Sequence, residues 1–210
     1  MTPAEFQSRL AERSAAAGVS ISPTLVEKLA AYHQLLATWN RRINLTALDL
    51  ERLPDEALDR LLIEPMAAAQ HASRRLAMLD VGSGGGSPAI PFALASEARE
   101  LTMIESRSRK SVFLREAAFV AGLSPARVLT MRFEEAAASE ALKEHFDIVT
   151  IRAVRVADED WPRLSDVLAA GGSVFLLHQP DASCAAQPNF AHTGTHRLTE
   201  KSELSIFKRL

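Results

Sequence analysis

Three alternating glycines, Gly82, Gly84 and Gly86, sit between an apolar run that closes on Asp80-Val81 and a segment opened by Ser87-Pro88. Glycine permits positive φ and lets another group approach the backbone closely. A turn of this kind between a strand and a helix is the signature of a doubly wound α/β sheet. There it lies outside the carboxyl ends of the strands, where ligands bind. The chain downstream fits that architecture. Strand-like runs at 76–81, 101–104, 128–131, 147–151 and 172–177 alternate with helical segments at 107–121 and 158–170, which implies a parallel sheet covered on both faces. Two short alternating stretches, 196–198 and 204–207, predict a terminal antiparallel pair.

The first 71 residues read differently. Thr2, Pro3 and Glu5 form a capping-box start, and Gly18 marks the end of that helix. Ser22-Pro23 restarts a helix with an N-cap and a proline at N1. Leu25, Leu29, Tyr32, Leu36 and Trp39 then recur on one face as core packing. A third helix begins at Pro54 and carries Leu58, Leu61 and Leu62; Pro65 is expected to kink or end it. The expected organisation is a helical extension over 1–71 and an α/β domain over 72–210, forming one structural unit. A chain of 210 residues buries enough surface to need no metal or disulfide staple.

The second strand candidate ends at Glu105. An acid there can accept both hydroxyls of a ribose, so the turn and Glu105 together point to a nucleoside cofactor. The dinucleotide fingerprint would need a small third residue at the place of Ser87, with free N–H groups following. Here Pro88 removes one. The loop has no lysine, so it is no P-loop. These features favour S-adenosylmethionine (SAM) over a nicotinamide dinucleotide, its amino-acid moiety over the glycines and its ribose on Glu105. The candidate cofactor-binding residues are Asp80, Gly82, Ser83, Gly84, Gly86 and Ser87 in the turn, with Glu105 and Ser106 after the second strand. The plain alternative is a strand-to-helix turn that holds nothing.

Several segments resemble one family. Val81-Gly82-Ser83-Gly84-Gly85-Gly86-Ser87-Pro88-Ala89-Ile90-Pro91 is similar to the D-V-G-T/S-G-x-G-x-P-G-I-P motif of the RsmG (GidB) family, guanine-N7 methyltransferases of 16S small-subunit ribosomal RNA. Trp39-Asn40-Arg41-Arg42-Ile43-Asn44-Leu45-Thr46 resembles its W-N-x-x-x-N-L-T segment, and Arg60 falls where R-H-I-x-D-S begins. Glu105-Ser106 with Lys110 and Phe113-Leu114, Arg132-Phe133-Glu134-Glu135, and Ile151-Arg152-Ala153 match further stretches. The resemblance implies a class I SAM-dependent methyltransferase fold, with SAM contacts from positions matching Gly82, Ser87, Phe133 with Glu134, and Arg152. S-adenosylhomocysteine would be the product. Arg152, with Asn44 and Arg60 near the pocket mouth, is expected to position the acceptor, and no general base is assigned. The chain departs from the family at Leu61, Glu64 and Pro65, at Ala89, at Ile151, and at His178, which stands where the family has lysine. The competing readings are a methyltransferase acting on another RNA or a small molecule, a silent SAM-binding protein, and an NAD-dependent oxidoreductase.

Charge and composition bound the rest. Net charge is −2, so RNA affinity needs a local patch. Residues 99–115 (Arg99, Arg107, Arg109, Lys110 and Arg115 against Glu100 and Glu105) and the pair Arg41-Arg42 are the candidates. His192 and His196 lack a third ligand, so no metal is expected. Cys184 cannot form an internal disulfide, and its loop shows no activating neighbour. With no apolar run of spanning length and no signal-like N-terminus, a cytoplasmic protein without a membrane partner is expected, working as a monomer.

Overall fold

A computed structural model of the chain describes residues 2–154, 156–180 and 187–210; Cys184 lies outside them. Helices α1 (Pro3–Ala16), α2 (Pro23–Asn40), α3 (Asp55–Leu58) and α4 (Glu64–Ala69) precede the first strand. Then follow β1 (Ala77–Val81), α5 (Ala89–Ala95), β2 (Glu100–Ile104), α6 (Ser108–Val120), β3 (Ala126–Leu129), α7 (Phe133–Ala137), β4 (Phe146–Arg152), α8 (Asp160–Val167), β5 (Leu168–His178), β6 (Phe190–Thr199) and β7 (Ser202–Arg209). The strands form one seven-stranded sheet in the order β3-β2-β1-β4-β5-β7-β6. The pairs from β3 to β5 are parallel, and β7 is antiparallel to both β5 and β6. Strand order reverses between β1 and β4, so the glycine turn after β1 stands at the topological switch point.

Strand alternation sorts the core into two layers. Met78, Met103, Ile148 and Phe175 pack with helices α1 to α6 on one face. Leu79, Val81, Ile104, Val149 and Ile151 pack with Ala136, Trp161 and Leu164 on the other. The first layer is a single cluster running from Phe6 and Leu10 through Tyr32 and Leu36 to Phe113 and Leu204. In α2 the expected stripe is Leu29, Tyr32 and Leu36 fully buried, with Leu25 and Trp39 at its rim. The capping box at Thr2 and Glu5 and the Ser22 cap both form.

Four sequence expectations change. Pro65 neither ends nor breaks its helix. A π turn over Asp59–Ile63 joins α3 to α4, and the proline sits within the first turn of α4. The helix expected over 158–170 stops at Val167, because Leu168 already pairs with Phe146. The sequence between them hides this: Gly171 takes φ +75° and a Cβ on Gly172 would stand 3.0 Å from the Phe146 carbonyl, so a glycine bulge carries the strand back to that partner. The third strand begins two residues earlier than expected, at Ala126, and the antiparallel pair is longer than its alternating core suggests.

Candidate functional site

The turn after β1 is built by backbone bonds and closed by glycine. The N–H groups of Gly82 and Ser83 both donate to the Ile104 carbonyl at 3.0 Å, and Gly86 N–H donates to Ser83 O at 2.7 Å. Gly82 has φ +74° and Gly86 φ +85°. A Cβ on Gly82 would lie 2.6 Å from Val154 Cγ2, and one on Gly86 would lie 2.9 Å from Ile90 Cδ1 and 3.2 Å from Tyr32 Cε2. Side chains are therefore excluded by both conformation and space.

Beside the turn, at the carboxyl ends of β1, β2 and β4, opens a cleft of about 540 Å³. Gly82, Gly84, Glu105, Ser106, Phe133 and Glu134 line it, together with Ile104, Met131 and Ile151. That size and that mix of apolar wall and few polar groups suit a nucleoside-sized ligand. Glu105 accepts from Gly84 N–H at 3.0 Å through one oxygen and from Arg107 N–H at 2.8 Å through the other. The carboxylate is thus locked to the turn, with lone pairs left over for hydroxyl donors. The residues present fit SAM: a glycine turn, an acid for ribose hydroxyls, and apolar walls for a base.

Of the remaining expected residues, Arg152, Ser87 and Asp80 stand behind the turn. Ile148, Thr150 and Arg152 share one face of β4, so Arg152 enters the helical layer and faces away from the cleft. Its Nη2 donates to Ser87 Oγ at 2.7 Å and its Nη1 to the Arg60 carbonyl at 2.6 Å. Ser87 Oγ in turn donates to the Leu61 carbonyl at 2.7 Å. Burial pushes the Arg152 guanidinium down to about 10, against the pull of Glu64, whose Oε2 lies 3.6 Å away. Pro65 explains why those two carbonyls are available. In an α or π turn the donor to Leu61 O or Arg60 O would be the nitrogen of residue 65, and proline has no N–H. The N–H of Glu64 is already used on Asp59 O, five residues back. Arg152 and Ser87 supply the missing donors.

Asp80 also lies under the turn. Its Oδ1 accepts from Thr150 Oγ1 at 2.5 Å, its register partner across β1 and β4, while Oδ2 is buried with no hydrogen-bond partner among the described residues. Burial raises its pKa to about 6. Ser83 Oγ donates to the Asp80 carbonyl at 3.2 Å. Tyr32 completes the support, its hydroxyl donating to Gly85 O at 2.6 Å. Burial raises the Tyr32 pKa strongly.

Arg152, Arg60 and Asn44 are therefore not gathered at the cleft. Asn44 is exposed in an adjoining groove. Its neighbour in the motif, Asn40, shapes the local backbone. Asn40 Oδ1 accepts from Leu45 N–H and Thr46 N–H, and Nδ2 donates to Thr46 O. That bracket brings the Leu45 carbonyl against Gly85, where a Cβ would meet it at 3.3 Å. Sequence reading missed Tyr32 and Glu64 as parts of the site. Pro65 inside an apolar helical pattern signals a need for outside donors to two carbonyls, which leads to Arg152 and Ser87 and not to Tyr32 or Glu64, for which the sequence carries no local signal.

The basic patch at 99–115 divides. Arg99 is paired with Asp147, and Arg115 donates to Val128 O and Thr130 Oγ1. Arg107, Arg109 and Lys110 remain without an ion pair among the described residues. His192 bonds Thr195 Oγ1, and His196 lies against His71 with ring centroids 4.0 Å apart. Among the described residues no three His, Cys, Asp or Glu side chains gather as a metal site, and no helix is long and apolar enough to cross a membrane.

The family model "GidB: rRNA small subunit methyltransferase G" matches residues 25–196. The chain belongs to this family. It is 37% identical over 149 residues to ribosomal RNA small subunit methyltransferase G of Neisseria gonorrhoeae, spanning 71% of this chain and 68% of that one. The putative methyltransferase yhhF from Escherichia coli superposes with a TM-score of 0.55 at 19% identity, over 65% of this chain and 78% of that one. TYW2 of M. jannaschii in complex with AdoMet, which is SAM, gives 0.52 at 15% identity, over 70% and 75%. The two structures show the shared methyltransferase fold, and the family match makes the chain an rRNA small-subunit methyltransferase by descent.

Proposed function

We propose that this protein transfers a methyl group from SAM to N7 of a guanine in 16S small-subunit rRNA, releasing S-adenosylhomocysteine. The observation that carries the cofactor half is the Gly84–Glu105 hydrogen bond, which ties a glycine turn to an acid at the switch point of the sheet. Family membership carries the acceptor half. SAM supplies the electrophilic methyl when bound.

What the chain must do follows from the acceptor. Guanine N7 has a free lone pair at neutral pH, so no proton has to leave before attack. Catalysis then rests on alignment, which can supply about 7–11 kcal/mol of a barrier. Gly82 and Gly84 offer backbone to the amino-acid moiety, Glu105 takes the ribose hydroxyls, and Phe133 with Glu134 hold the base. Arg152, Ser87 and Tyr32 act indirectly, by holding the turn. The protein works as a monomer in the cytoplasm and meets its guanine unpaired, as sequence-specific RNA recognition usually requires.

The test is methyl transfer from labelled SAM to small subunits lacking N7-methylguanosine, followed by nucleoside analysis. Labelled N7-methylguanosine supports the reading. Its absence beside an active control enzyme sinks it, and points to the second reading, a methyltransferase whose acceptor has changed. One observation favours that alternative: His178, at the family's lysine position, is tied to Ser205 Oγ at 2.8 Å through Nε2.

A further inference from the structure

A second groove, of about 470 Å³, adjoins the cleft. It is lined by Arg42, Ile43, Asn44, Arg107, Ser108, Arg109 and Lys110, with no acidic residue among them. Arg107 and Lys110 line the cleft as well, so the two depressions meet at these side chains. None of the four cations has an ion pair or a side-chain hydrogen bond among the described residues, whereas Arg41, next in sequence to Arg42, is paired with Glu51. Arg107 is the N-cap of α6, and Arg109 and Lys110 fall in its first turn, which holds no acid. Positive side chains at the positive end of a helix have the wrong sign for stability. The cluster leaves a concentrated positive potential on a chain whose net charge is −2.

We infer that this groove binds the phosphodiester backbone of the single-stranded RNA flanking the target guanine, the strand passing from groove to cleft over Arg107 and Lys110. The arginine forks match phosphate bidentately, and Asn44 adds an uncharged donor at the same place. The inference rests on the proposed RNA acceptor and adds the path by which that RNA reaches the cleft.

The experiment is fluorescence anisotropy with a short labelled single-stranded RNA carrying one guanine, in saturating S-adenosylhomocysteine, across a salt series. Arg42 and Arg109 line the groove and not the cleft, so the double variant Arg42→Gln/Arg109→Gln is compared with wild type. The slope of log K against log salt should fall by about 1.4, from two phosphate contacts at about 0.7 each. Calorimetric affinity for S-adenosylhomocysteine should stay the same. Arg52→Gln/Arg74→Gln, which removes exposed cations outside the groove, should leave the slope alone. An unchanged slope in the groove variant, or an equal drop in the control variant, overturns the inference. Wild type that binds S-adenosylhomocysteine but no RNA overturns it too, while leaving the cofactor reading intact.

Discussion

Arg152 Nη2 reaches Ser87 Oγ at 2.7 Å, joining the end of β4 to the last residue of the glycine turn across 65 positions of sequence. Through the same serine and the same guanidinium, the turn is tied to the carbonyls of Leu61 and Arg60. The helix that Pro65 would otherwise leave with unserved acceptors thus becomes a fixed wall behind the glycine turn.

Replacing Ser87 with alanine leaves Leu61 O and one Arg152 nitrogen unserved in a buried place. We expect a stability loss of about 1–3 kcal/mol, read as a lower urea midpoint with an unchanged slope. SAM affinity should weaken as well, because the turn loses its anchor. Unaltered affinity in a folded Ser87→Ala protein would show that the turn holds itself.

Arg152 and Glu64 form a buried pair, so removing one partner strands the other. Arg152→Met should cost about 3–5 kcal/mol. The double variant Glu64→Gln/Arg152→Met should recover part of that loss, and a denaturation cycle over the four proteins measures the coupling. Strictly additive losses would mean that the 3.6 Å approach contributes nothing.

Asp80 makes stability depend on pH with an unusual sign. Its folded pKa is raised to about 6 from 3.8. Between those values the folded state holds a proton that the unfolded state has released, so stability falls as pH rises through the window. The full effect is about 3 kcal/mol at about 1.4 per unit. Asp80→Asn keeps the Thr150 hydrogen bond and removes the titration. Denaturation from about pH 4 to pH 7 should show a decline in wild type that this variant lacks; matching curves would acquit Asp80.

Glu105→Gln tests the acid of the cleft. The amide can accept from only one of the Gly84 and Arg107 N–H groups and turns a donor toward the other. We expect SAM affinity to fall about 10-fold to 100-fold, on the scale of about 1.5–3 kcal/mol for hydrogen bonds to a charged group. Calorimetry with SAM, alongside circular dichroism to confirm the fold, reads it. Retained affinity would remove Glu105 from the ribose site.

The strands, both N-caps and the glycine turn were legible because their causes are local: apolar runs, capping residues within three positions, and glycines where φ is positive. The cleft residues Gly82, Gly84, Glu105 and Ser106 were legible for the same reason, each pair following directly on a strand end, β1 for the glycines and β2 for Glu105 and Ser106. Arg152 was singled out by the family resemblance as a residue that positions the acceptor, whereas the alternation of β4 sends it with Ile148 and Thr150 into the helical layer, on the side away from the cleft. Pro65 was expected to kink or end its helix; it does not end it, since Arg152 and Ser87 serve the carbonyls it abandons, and the irregularity beside it is a π turn.

By itself, then, the sequence determined the strand–turn–helix order, the glycine turn and the acid at the end of the second strand, each set by residues within a few positions of it, whereas the Gly84–Glu105 bond that joins them spans 21 residues and needs β1 and β2 paired in register. Which side of the sheet each polar group faces, and which of them meet, was decided only in three dimensions. Arg152 and Arg60 are 92 residues apart, and no local preference encodes a contact at that range. It exists because sheet register and helix packing bring a guanidinium to two carbonyls that a proline left bare.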